Sequence, residues 1–222
     1  MTDARPPKSF LLSEDLSQYL VAHGTPPDAV QRALIEETAE LGGVSIMQIA
    51  PEQGAFLTLL TRLVDPAAAI EIGTFTGYSA LCIARGLRPG AQLVCCDVSE
   101  EWTSVGRKHW DAAGVSARID LRIAPALETI AGIPDGEQFG LAFIDADKPN
   151  YANYFDALLP HMAPNGVILI DNVLWDGRVI DAGDNDENTV AIRAFNDKVA
   201  ADDRVDTVML PIADGLTLCR VR

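Results

Sequence analysis

Histidine, cysteine and basic side chains are scarce in this sequence of 222 residues. It holds 3 His, 4 Cys and 17 Lys plus Arg against 32 Asp plus Glu, a formal net charge of -15 at pH 7. A surface this acidic repels polyphosphates, so nucleic acid is a poor partner, and a strongly anionic small molecule would need a local basic cluster. No C-x-x-C pair occurs, and the spacing of a soft-metal site is absent. No apolar run reaches the length needed to span a bilayer. The segment Met1-Thr2-Asp3-Ala4-Arg5-Pro6-Pro7-Lys8 has no apolar h-region, so neither a membrane partner nor a signal peptide is expected. Cys82, Cys95, Cys96 and Cys219 all sit in apolar contexts, and the adjacent Cys95 and Cys96 would point to opposite faces of a strand. Buried free thiols and a cytoplasmic location are the expectation.

Also missing is the dinucleotide fingerprint. G-x-G-x-x-G starting at Gly73 would need glycine at positions 75 and 78, where this chain has Phe75 and Tyr78. What stands there is Ala69-Ile70-Glu71-Ile72-Gly73-Thr74-Phe75-Thr76-Gly77-Tyr78-Ser79-Ala80: a buried strand, a glycine-bounded turn and a helix N-terminus. In open α/β sheets a ligand sits outside the carboxyl ends of the strands, where the strand order reverses. A second predicted strand, Gln92 to Asp97, ends in an acid placed as ribose-reading acids are. One loop, one such acid and no phosphate cradle suggest a nucleoside without phosphates, with S-adenosylmethionine the leading candidate.

Hydrophobic residues make up 48% of the chain, enough for a large core. The pattern predicts an N-terminal helical extension over 1–66 and a core over 67–222, a single domain overall. Three helices are expected first: Ser13 to Ala22, Pro27 to Leu41 with Thr25 as N-cap, and Pro51 to about Val64 with a stripe of Phe56, Leu57, Leu60, Leu63 and Val64. Strands near 68–72, 91–96, 118–123, 140–144 and 166–170 then alternate with helices, and Pro164-Asn165-Gly166 reads as a turn. A helix from about Thr189 follows, then two runs, Val205 to Leu210 and Leu216 to Val221, joined as a hairpin. The sum is an α/β fold: a doubly wound, seven-stranded, mostly parallel sheet, Rossmann-like, with helices on both faces and a C-terminal antiparallel hairpin.

A second chemical site follows from the parallel strands. Phe143-Ile144-Asp145-Ala146-Asp147-Lys148 and Leu169-Ile170-Asp171-Asn172-Val173-Leu174-Trp175 place acids and an amide just past two strand ends, on the face that carries Glu71 and Asp97. Asp145, Asp171 and Asn172 are oxygen donors without histidine or cysteine, which suits a hard cation such as Mg²⁺, Mn²⁺ or Ca²⁺.

Taken together, the stretches 71–79, 145–148, 171–175 and 210–218 resemble the cation-dependent class I O-methyltransferases, the family of the caffeoyl-CoA and catechol O-methyltransferases, and are closer to the caffeoyl-CoA type and its bacterial relatives. The resemblance runs from about residue 45 to the C-terminus. It implies that Glu71, Gly73, Ser79 and Asp145 line the S-adenosylmethionine pocket, that Asp97 holds the ribose hydroxyls, that Ala126 meets the adenine region, and that Asp145 also serves in catalysis. It implies a divalent cation on Asp145, Asp171 and Asn172, Lys148 as the base, Trp175 beside the acceptor ring, a vicinal diphenol as substrate, and a homodimer. Ile49 departs from the threonine or serine common in plant relatives, and 176–190 does not match their substrate-selecting loop. Arg5, Lys8 and Arg178 are the only cations in the N-terminal segment and that loop, which argues against a coenzyme A thioester as acceptor. Two other readings stay open on the residues: a nicotinamide oxidoreductase on a similar sheet, and a non-catalytic dimer module that kept the fold.

Overall fold

Short apolar runs, too short for helices and bounded by glycines and acids, become the inner strands of one seven-stranded sheet. The computed structural model describes residues 12–222; the segment 1–8, with Arg5 and Lys8, lies outside the described residues. The strands are β1 (Ala68–Ile72), β2 (Gln92–Asp97), β3 (Ile119–Ile123), β4 (Phe139–Ile144), β5 (Met162–Asp171), β6 (Val205–Leu210) and β7 (Leu216–Val221), in the order β3-β2-β1-β4-β5-β7-β6. β1 pairs in parallel with β2 on one side and β4 on the other, so the strand order reverses between β1 and β4. β2–β3 and β4–β5 are also parallel, while β7 runs antiparallel to both β5 and β6.

The helices are α1 (Glu14–His23), α2 (Ala29–Glu40), α3 (Pro51–Val64), α4 (Tyr78–Gly86), α5 (Glu100–Ala112), α6 (Ala126–Ala131), α7 (Tyr151–Leu158) and α8 (Glu187–Ala200). Successive residues of the inner strands go to opposite faces. Ile70, Ile144 and Ile170 meet Tyr151, Phe155 and Phe195 on the face covered by α6, α7 and α8. Ala69, Leu93, Leu141 and Leu169 meet Leu34, Leu57 and Leu81 on the other, under α2, α3 and α4. Cys95 and Cys96 divide between the two faces, and all four cysteines are buried and free.

Three local expectations give way. The N-cap of α2 is Asp28, not Thr25: its carboxylate accepts from Gln31 N while the Gln31 side chain accepts from Asp28 N. That capping box satisfies two orphan amides at once, which a lone threonine three residues upstream cannot do. Leu63 belongs to no buried stripe and is 74% exposed; at 3.6 residues per turn it lies about 240° around the helix from the buried Leu57. Asn165, expected in a turn before β5, lies within that strand at φ 62, where the register with β4 shifts. Among the described residues no helix is long and apolar enough to cross a membrane.

Candidate active site

The switch between β1 and β4 opens into a cavity of about 940 Å³. Its floor is the β1–α4 loop, whose shape requires two glycines. Gly73 has φ +87, and a Cβ there would stand 2.0 Å from the Asp145 carbonyl oxygen. Gly77 has φ +79, and its Cβ would meet the Trp110 ring at 2.4 Å. Phe75 between them is also left-handed, at φ 51. The Asp97 carboxylate holds this loop: Oδ2 accepts from Thr74 N (2.9 Å) and Phe75 N (2.7 Å), and Oδ1 accepts from Ser99 N (2.8 Å). The acid at the end of β2 is therefore the organiser of the floor as well as part of the wall. From above the loop, Thr38 of α2 donates to Thr76 Oγ1 (2.9 Å), both side chains wholly buried.

Gly73, Ser79, Asp97, Ala126, Asp145, Lys148, Asn172 and Trp175 all line the cavity. Glu71 and Asp171 are not on its wall. Glu71 is wholly buried beneath the floor, on the α3–α4 side of β1. Neither of its oxygens makes a hydrogen bond of good geometry. Burial pushes its carboxyl up to about 7, with the neighbouring Ser79 and Thr74 hydroxyls and Cys95 thiol opposing the shift. Asp171, the last residue of β5, is 2% exposed, and Asn172 N donates to its Oδ1 (2.8 Å). Burial first, then the charge of Asp145, pushes the Asp171 carboxyl above the usual range.

Lys148 is no surface lysine paired with Asp147. It is 8% exposed, and its Nζ donates to Asp145 Oδ1 (3.1 Å), Asn172 Oδ1 (2.8 Å) and Tyr151 Oη (2.6 Å). Asp147 instead accepts from the Tyr154 hydroxyl and from Asn150 Nδ2, each at 2.5 Å. The Trp175 ring centroid lies 5.6 Å from Nζ. Asn172, Trp175 and Asp176 all hold positive φ (57, 48 and 51), the strained backbone that clusters at ligand clamps. Asp214, after β6, is also on the wall and accepts from Asp176 N (2.5 Å).

Asp145 and Asn172 thus meet at Lys148 Nζ, with the Asp171 carboxyl buried behind them and raised by burial first and then by the charge of Asp145. That donor set fits a hard dication, which would relieve the repulsion that a single lysine leaves. Among the described residues no group of three or more His, Cys, Asp and Glu side chains is gathered for a metal; the candidate set depends on the Asn172 amide.

Several cavity residues escape a reading of the sequence. Ile46, Met47 and Gln48 come from the 3₁₀ segment before α3 and its end, while Trp102 and Tyr154 come from α5 and α7. Ile49 is on the wall too, and its side chain offers no hydrogen bond.

A parallel sheet with this strand order, a glycine-bounded loop at the switch and an antiparallel final pair define a Rossmann-like methyltransferase. Comparison with known proteins agrees. A family model described as O-methyltransferase matches residues 23–222. "Probable caffeoyl-CoA O-methyltransferase 1" of Dictyostelium discoideum is 41% identical over 210 residues, covering 93% of this chain and 91% of that protein. Caffeoyl-CoA O-methyltransferase 2 of Zea mays is 37% identical, covering 96% and 85%. The solved O-methyltransferase from Bacillus cereus in complex with SAH superposes with a TM-score of 0.85 at 32% identity, covering 94% and 97%. The chain belongs to the S-adenosylmethionine-dependent O-methyltransferases. The oxidoreductase and non-catalytic readings are set aside.

Proposed function

We propose that this enzyme methylates one hydroxyl of a vicinal diphenol with the help of a divalent cation, Mg²⁺ first, held by Asp145, Asp171 and Asn172. The meeting of Asp145, Asn172 and Lys148 on the cavity wall, with buried Asp171 behind them, carries the reading. The names of the maize and Dictyostelium relatives support it, since a caffeoyl group bears two adjacent phenolic hydroxyls.

Bound S-adenosylmethionine would supply an electrophilic methyl group, with Gly73, Ser79, Asp97 and Ala126 on the cavity wall to hold it. A neutral phenol, with pKa about 10, is a poor nucleophile near neutral pH. A bound dication would lower that pKa and anchor both oxygens. In its neutral amine form Lys148 would take the proton of the reacting hydroxyl on its lone pair, from its place beside Asp145 and Asn172. Trp175 flanks the acceptor ring. Chelation is expected to abolish turnover of catechol, and added Mg²⁺ or Mn²⁺ to restore it. Full turnover by exhaustively metal-free protein would sink the cation assignment.

We also infer a homodimer, a cytoplasmic location consistent with four free thiols, and no nucleic-acid or membrane partner for so acidic a chain. The acceptor we favour is a small diphenol of low charge, not a coenzyme A thioester.

A further inference from the structure

Tyr151 does not line the cavity, yet it makes the shortest hydrogen bond of Lys148, at 2.6 Å. Its ring is wholly buried and meets Phe195 edge-on, with centroids 5.6 Å apart and 80° between planes. A phenol has one proton to donate and two lone pairs to offer. That proton goes to the Asp171 carbonyl at 3.1 Å, a group that can only accept. The oxygen therefore turns a lone pair toward Lys148, and the bond runs from Nζ–H to Oη. The same head group also donates to Asp145 Oδ1 and Asn172 Oδ1, both on the cavity wall. As a base it is the neutral amine, with two N–H groups and one lone pair, so one of those wall contacts gives way to the lone pair that takes the acceptor's proton.

We propose that Tyr151 is the positioning residue for Lys148: its hydroxyl, tied to the end of β5, takes one N–H from behind and so aims the rest of the head group at the wall where the acceptor hydroxyl lies. This rests on the reading of Lys148 as the group that handles the acceptor's proton. A lysine head sits on a flexible four-carbon stem, and proton transfer needs it within hydrogen-bond reach of one oxygen. A buried acceptor with a fixed lone pair removes that freedom before the substrate arrives. The Tyr151 ring itself, 4.8 Å from Nζ, and the Trp175 ring restrict the stem from two sides.

Tyr151→Phe keeps the ring and its packing and deletes only the hydroxyl. The expected result is a fall in kcat of about tenfold or more, the equivalent of one hydrogen bond to a charged group, with KM for catechol little changed and SAH affinity by calorimetry unchanged. In a Lys148→Ala background the same substitution should leave the residual rate where it is. Wild-type kcat in Tyr151→Phe overturns the proposal, and so does an equal loss in both backgrounds, since the hydroxyl would then act without the lysine. A Lys148→Ala enzyme with normal kcat overturns the reading of Lys148 itself, and the single-variant rate tells the two failures apart. Where Tyr151→Phe fails to fold, the ¹³Cζ resonance of labelled Tyr151 replaces it: the signal should move when Lys148 becomes alanine, and an unmoved signal overturns the pairing.

Discussion

Glu71 is the residue whose surroundings differ most from its place in the sequence. A carboxylate one residue before the end of β1 reads as a ligand for whatever lies over the loop, and its neighbour Gly73 does reach the cavity. The period-2 alternation of the strand sends Glu71 instead into the apolar layer beside Cys95. Its carboxyl is raised from 4.5 to about 7, so between those values the folded protein holds a proton that the unfolded chain has released. Stability contributed by the protonated form is present below about pH 4.5 and is lost as pH rises through about 7. Glu71→Gln should therefore raise the thermal midpoint of the ligand-free protein at pH 8, flatten its dependence on pH over that window, and stabilise by of the order of 3 kcal/mol at most. Equal pH profiles for the two proteins in scanning calorimetry would show that Glu71 is not the group responsible. Tyr151 illustrates the opposite case: nothing in the sequence separates it from Tyr154, because only the folded chain brings the Asp171 carbonyl to one of the two hydroxyls.

Among the elements, the alternating strands and helices were legible because each inner strand is a bounded apolar run and a helix such as α5 carries its own start, Ser99, and its own stop, Gly114. The helical extension was legible as helices but not in its packing. Its second and third helices are bound into the core: Leu34 and Leu57 are wholly buried, Thr38 reaches Thr76, and Glu37 bonds to both His109 Nε2 (2.9 Å) and Lys108. The first helix buries no residue at all. Leu16, Tyr19 and Leu20 on α1 are 47%, 58% and 43% exposed, and Leu59 and Leu63 on α3 are 57% and 74% exposed. Apolar side chains left in water on two neighbouring helices offer a surface that a second copy would bury in the proposed homodimer. Light scattering at micromolar concentration should report a dimer, and replacing Leu63 and Tyr19 by polar residues should shift it toward the monomer. A wild-type monomer at that concentration would remove the dimer from the account.

At the scale of the whole molecule, charge bears on which acceptors approach. The net charge is -15, and five of the carboxylates behind it, Asp97, Asp145, Asp147, Asp176 and Asp214, line the cavity with Lys148. Arg178, the cation of the loop after β5, is engaged by Asp184 at 2.6 Å and Asp186 at 3.8 Å, so it offers little to a phosphate. A coenzyme A thioester would meet like charge at long range and at the mouth of the cavity. Simple catechols, caffeic acid among them, should show a higher kcat/KM than caffeoyl-CoA in side-by-side kinetics, and added salt should narrow the gap. A clear preference for the thioester, weakened by salt, would mean that a basic surface has been supplied from elsewhere.

One contact ties these scales together. Gly73 rests against the Asp145 carbonyl with no room for a single methyl group between them. The loop proposed to hold the donor and the residue proposed to face the acceptor are therefore in van der Waals contact. Any free energy by which one ligand's binding alters the other's must act equally in the reverse direction, and this glycine–carbonyl contact is where such a coupling would cross.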